Sequence, residues 1–156
     1  MRDPGTLRVP RQDEILMFNP SREQARRLFF DAWRKYREKK PMVGLENVAL
    51  DVALLHPEYH AVLDRPERFA ERDYAPEAGN INPFLHMSLH LAIEEQLSID
   101  QPPGIRSEFE RIALARGDRH AALHAVLECL GETLWRAQRG GAPPDGAAYL
   151  ECLKRI

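Results

Sequence analysis

Over most of this chain apolar residues recur every three to four positions, and over its first twenty they keep no period at all. Pro4, Gly5, Pro10 and Pro20 interrupt that opening stretch, so residues 1–20 read as a flexible N-terminal extension with short contacts from Ile15, Leu16 and Phe18. Helical spacing then begins. Ser21 followed by Gln24 has the form of a capping box, and Leu28, Phe29, Ala32 and Trp33 make the stripe of a first helix that runs to Lys39. Pro41 ends it. A second helix starts near Leu45 and carries Val48, Ala49, Val52, Ala53 and Leu55 on its apolar side. Pro57 interrupts it, and the residue before a proline is pushed out of the α region, so His56 sits at a kink or caps a short third helix. From Arg65 to Gly79 the chain is polar and reads as a loop with at most one helical turn.

Asn82 and Pro83 are a cap followed by a first-turn proline, and the helix they open runs to Ser98. Its apolar residues, Phe84, Leu85, Met87, Leu89, Leu91, Ala92, Ile93 and Leu97, spread nearly all round, as in a helix buried on most faces. After the turn at Pro102, Pro103 and Gly104, another helix holds Phe109, Ile112, Ala113 and Leu114 and stops at Gly117. Asp118 caps the next, which reaches Arg139, and Asp145 caps a last one from Gly146 to Arg155. Strand alternation of useful length is absent. The expected fold is all-α, a single-domain bundle of five to seven helices over residues 21–156.

The polar positions are as ordered as the apolar ones. All six histidines fall into pairs spaced i, i+4: His56 with His60, His86 with His90, His120 with His124. Chance placement of so few histidines gives roughly 0.2 such pairs. Each pair is followed four residues later by a carboxylate: Asp64, Glu94 and Glu128. On a helix this spacing stacks side chains on one face, the way a bundle supplies metal ligands. A buried carboxylate also needs a compensating charge that neutral imidazoles do not provide and a cation does.

The reading that follows is a histidine/carboxylate metalloprotein in which helices 83–98 and 118–139 turn His86, His90, Glu94, His120, His124 and Glu128 to a shared centre. His60, Asp64 and His56 enlarge the set toward a dinuclear site, and Glu132 is placed as an acid that orients a ligating histidine. Imidazole with carboxylate and no thiolate suits iron, manganese or zinc, one or two ions per chain. A mono- or dinuclear non-haem centre of this kind serves oxygen chemistry or hydrolysis, with dioxygen or a small molecule at an open position.

The alternative is a non-catalytic adaptor whose histidines and acids form a structural or pH-sensing core network. Its docking element is the basic first helix, with Arg26, Arg27, Arg34 and Lys35 facing an acidic partner. A helix-terminal cation cluster that complements the dipole explains the same residues without a partner.

Charge and composition narrow the rest. The formal charge of −2 offers no global attraction to nucleic acid, and no apolar run approaches the ~20 residues that span a bilayer. The expected protein is cytoplasmic, free of membrane partners and compatible with a homo-oligomer. Its two cysteines, Cys129 and Cys152, read as reduced core thiols.

Several strings carry a family resemblance: Met17-Phe-Asn-Pro-Ser21, Phe29-Phe30-Asp31-Ala32-Trp33, His56-Pro-Glu-Tyr-His60, Asn82-Pro-Phe-Leu-His86, Ser98-Ile-Asp-Gln-Pro-Pro-Gly104 and Glu128-Cys-Leu-Gly-Glu132. From Met17 to its end the chain resembles an uncharacterised bacterial family of short proteins classed as a domain of unknown function. Members of that family tend to open at the Met-Phe-Asn-Pro-Ser string, which implies that residues 1–16 are an upstream extension or a misplaced start. The resemblance implies a small helical protein and supplies no activity. Hemerythrin-like bundles offer a looser likeness, with a different ligand order and no Glu-x-x-His repeat of the ferritin-like kind.

Overall fold

The computed structural model describes residues 22–70, 72 and 82–156. The N-terminal extension, the Ser21 end of the first capping box and most of the loop leading to Asn82 lie outside the described residues. What is described is all-α, with no strand. The helices are α1 (Arg22–Arg37), α2 (Leu45–Leu54), α3 (His60–Leu63), α4 (Pro66–Phe69), α5 (Pro83–Ile99), α6 (Ile105–Arg116), α7 (Arg119–Gly140) and α8 (Gly146–Lys154), with a 3-10 turn at Pro57–Tyr59 between α2 and α3. These eight exceed the five to seven expected because α3 and α4 are single turns, α3 following the turn that Pro57 opens and α4 beginning at Pro66 itself. None of the described helices is long and apolar enough to cross a membrane.

Local chemistry accounts for the helix ends. Asn82 Oδ1 accepts from the N–H groups of Phe84 and Leu85 at 3.0 and 3.1 Å. Asp118 accepts from His120 and Ala121, and Asp145 from Ala147 and Ala148, so three of the caps read from sequence are made. At the end of α1 the chain turns back through Lys39, whose φ of 57° is left-handed, while the Lys40 N–H returns to the Lys35 carbonyl at 2.8 Å. That closing geometry usually falls to glycine, and here it ends α1 at Arg37, two residues before the expected Lys39.

The chain divides after Glu94 into two compact units. In the first, α1 packs on α2 and on α3. Phe29, Trp33, Ala49, Val52, Leu63, Met87, Leu91 and Ile93 form its buried interior. Arg26 belongs to that interior too: it is 3 % exposed, donates to the carbonyls of Phe69 and Ala70 at 3.2 and 3.0 Å, and lays its guanidinium over the Phe84 ring. In the second unit α6, α7 and α8 pack on one another around Ile105, Phe109, Ile112, Leu123, Val126, Leu130 and Leu153. The Tyr149 hydroxyl there donates to Gln96 Oε1 at 2.8 Å, both groups being buried.

One expectation is overturned in this second unit. Cys129 and Cys152 form a disulfide that joins α7 to α8. Their separation of 23 residues carries no signal by itself, because pairing needs Cα atoms within about 7 Å and only the docking of two helices provides that.

Candidate metal centre

Inside the first unit three imidazoles meet. His86 and His90 lie one turn apart on α5, so their rings project to the same side, with centroids 4.8 Å apart. His56 arrives from elsewhere. It stands between α2 and the 3-10 turn with φ −126° and ψ 70°, outside the α region as a residue before proline should be, and this swings its ring toward α5. His86 Nε2 lies 3.1 Å from His56 Nε2 and 3.2 Å from His90 Nε2. One ring nitrogen from each of the three lies within 4.8 Å of the others. His56 and His90 are buried, at 1 % and 0 % exposure, and His86 is half-buried.

A second contact fixes the chemistry of His56. Its Nδ1 stands 2.8 Å from the Val52 carbonyl oxygen, which can only accept, so Nδ1 carries the hydrogen. In the tautomer this contact selects, the lone pair lies at Nε2, facing the other two histidines. An N–H held by a backbone carbonyl is the usual arrangement behind a ligating imidazole. The spacing fits as well: nitrogens bound to zinc at about 2.0–2.1 Å with tetrahedral angles stand about 3.3 Å apart. Tyr59 closes one side of the group. Its ring stacks on His56 with centroids 5.5 Å apart and meets the edge of His86 at 6.0 Å. Burial first, and then the charge of Glu58, hold its phenol above the usual tyrosine range.

The remaining sequence-predicted residues fall elsewhere. His60, one turn past Pro57, sends Nε2 to the Ala53 carbonyl at 2.8 Å and lies tilted against the Trp33 ring, with centroids 4.3 Å apart. Asp64 accepts from Trp33 Nε1 at 2.8 Å and pairs with Arg37 at 3.5 Å. Both serve the α1–α3 packing, and neither turns toward the imidazoles. On α7, His120 and His124 are half-buried with ring centroids 4.2 Å apart, while Glu128 is exposed. Glu132 is exposed as well and pairs with Arg136 at 2.6 Å. Glu94 is half-buried.

Among the described residues, the side chains that converge as metal donors are histidines only. On α5 and α7 each step of four residues overshoots a full turn by about 40°, so Glu94 and Glu128, at i+8, face about 80° away from His86 and His120. Tyr59 was missed at the sequence level, although the His56-Pro-Glu-Tyr-His60 string contains it.

Most of the first-helix cations are engaged. Lys35 bonds Glu46 at 2.8 Å, Arg34 pairs with Glu38, Arg37 with Asp64, and Arg26 lies inside the unit; only Arg27 of the four proposed docking cations is exposed with no ion pair described.

The family model described as Domain of unknown function (DUF1841) matches residues 21–155. The chain belongs to this family. Neither the curated proteins nor the solved structures contain a match to it. The DUF1841 match covers the three-histidine group and the whole of all eight helices, and it assigns no chemistry to them.

Proposed function

We propose that this protein binds one transition-metal ion through His56, His86 and His90. The observation that carries the proposal is His86 Nε2, placed within 3.2 Å of the Nε2 atoms of both other histidines. An imidazole nitrogen has one in-plane position, filled by a hydrogen or by a lone pair. With His56 Nε2 presenting a lone pair, a hydrogen on His86 Nε2 aligns with one neighbour at a time. A cation at the common point satisfies all the lone pairs together.

The donor set favours one ion over two, because the nitrogens converge on a single point. It also narrows the metal. An all-imidazole site suits zinc, copper, iron or nickel, whereas manganese is better matched by carboxylate oxygens. Zinc is the ion proposed. Three protein donors leave a position for water or a small molecule, as hydrolysis or oxygen chemistry requires. The alternative is a histidine network without metal joined to a basic docking helix, on which Arg27 and Arg34 are exposed while Arg26 is buried and Lys35 bonds Glu46.

Elemental analysis of the purified chain tests this reading. About one equivalent of metal is expected, falling to about a tenth in His86→Ala and His90→Ala and staying unchanged in His60→Ala. Retention of metal in the first two variants, or its absence after anaerobic reconstitution of the native chain, contradicts the proposal.

A further inference from the structure

We propose that the Cys129–Cys152 disulfide is a thiol-exchange site whose attacked sulfur is Cys152, reached by a small zwitterionic thiol of the cysteine or glutathione class. The two sulfurs are inequivalent. Cys129, in the middle of α7, is 3 % exposed, whereas Cys152 is half-buried and lines a cavity of about 240 Å³ between α7 and α8. Exchange requires a thiolate to reach one sulfur while the other leaves. Access therefore selects Cys152.

The cavity walls suit the proposed reactant. Arg136, Glu132, Asp145 and Thr133 line it, so a guanidinium and two carboxylates stand near the sulfur. Among the described residues Arg136 pairs with the exposed Glu132, one turn away, a surface pair that leaves it available to a ligand carboxylate. An ammonium group finds Glu132 or Asp145. A neutral thiol gains from none of these.

Opening the bridge leaves α8 in place. Leu153 and Tyr149 are buried, Tyr149 donates to Gln96, and Arg111 donates to the carbonyls of Leu153 and Ile156 at 2.8 and 3.1 Å. Asp145 holds the other end of the helix. The sulfur pair can therefore cycle without releasing the helix that presents it.

The chemistry balances. The incoming thiolate bonds to Cys152 Sγ, the Sγ–Sγ bond breaks, and its electron pair leaves on Cys129, which takes up a proton. A second thiolate attacks the external sulfur of the mixed disulfide, releasing Cys152 as a thiol. Two small thiols are oxidised to their disulfide, and the protein disulfide is reduced by two electrons.

The test exposes the full chain to reduced glutathione, quenches with acid and an alkylating agent, and maps peptides by mass spectrometry. The expected product carries glutathione on Cys152 and the alkyl label on Cys129. With oxidised glutathione, Cys129→Ser should acquire the adduct at least about ten times faster than Cys152→Ser. Arg136→Ala should slow the reaction with glutathione roughly three- to ten-fold and leave that with 2-mercaptoethanol unchanged. The native-chain map needs no variant to fold. Glutathione found on Cys129, a bridge that resists glutathione yet yields once the chain is unfolded, two thiols that never pair under oxidised glutathione, or equal slowing of both thiols in Arg136→Ala would each overturn the proposal.

Discussion

The Nε2 atoms of His56 and His86 stand 3.1 Å apart across 30 residues of sequence, and His56 is there because Pro57 takes it out of the helix. A residue before proline avoids the α region, and the observed φ and ψ at His56 are the outcome. Pro57→Ala should therefore let α2 run on through His56 and turn its ring away. We expect metal affinity to fall about ten-fold or more with little loss of helix content, since alanine is the better helix former. Zinc titration of the apo-protein, followed by competition with a chromophoric chelator, measures it.

Chelation gives a second prediction. A ligand that binds only the folded chain stabilises it by about 2.7 kcal/mol at a hundred times its dissociation constant. Calorimetry with and without a strong chelator should show a lower melting temperature in its presence, and no such difference in His90→Ala. An equal shift in that variant would place the metal elsewhere.

The fold and the centre were not equally legible in the sequence. Helix starts were, because Asn82, Asp118 and Asp145 cap by local geometry that neighbouring residues alone decide. The pairing of His86 with His90 was legible for the same reason. The carboxylates were not, although the overshoot of about 40° per four residues was calculable and separates Glu128 from the line of His120. His56 was grouped with His60, its neighbour in sequence, yet they bond to the Val52 and Ala53 carbonyls and point apart. Only the docking of α5 in this unit decides which of them meets His86. The Cys129–Cys152 bridge depends on helix docking in the same way.

That bridge predicts a stability difference. Closing a loop of this size contributes about 3 kcal/mol by restricting the unfolded chain. Denaturant unfolding of the Cys129→Ser, Cys152→Ser double variant should show a loss of that order, with the helical signal of the folded state intact.

Tyr149 offers a sharper probe of the same unit. Tyr149→Phe removes the donor to Gln96 Oε1 and leaves a buried carbonyl oxygen without its 2.8 Å partner. A cost of about 1–3 kcal/mol is expected in equilibrium unfolding. A neutral result would mean that water enters the site.

Acid should weaken the protein through two carboxylates. The hydrogen bond from Lys35, aided by the Val43 N–H, holds Glu46 below its ordinary 4.5. The Arg106 N–H, with that of Gly104, holds Asp100 below 3.8. Both folded values lie under the unfolded ones, so the unfolded chain binds more protons in that window. The stabilisation is complete above the unfolded values and is lost as pH falls through the folded ones. Unfolding free energy measured from pH 6 downward should decline below about pH 4.5, and less steeply in Glu46→Gln.

X-ray absorption at the zinc edge, on chain reconstituted with one equivalent of zinc, tests the central claim most directly. The account predicts a shell of nitrogen donors at about 2.0–2.1 Å with the outer scattering of several imidazole rings. A shell containing sulfur at about 2.3 Å, or one of oxygens without imidazole scattering, would contradict it.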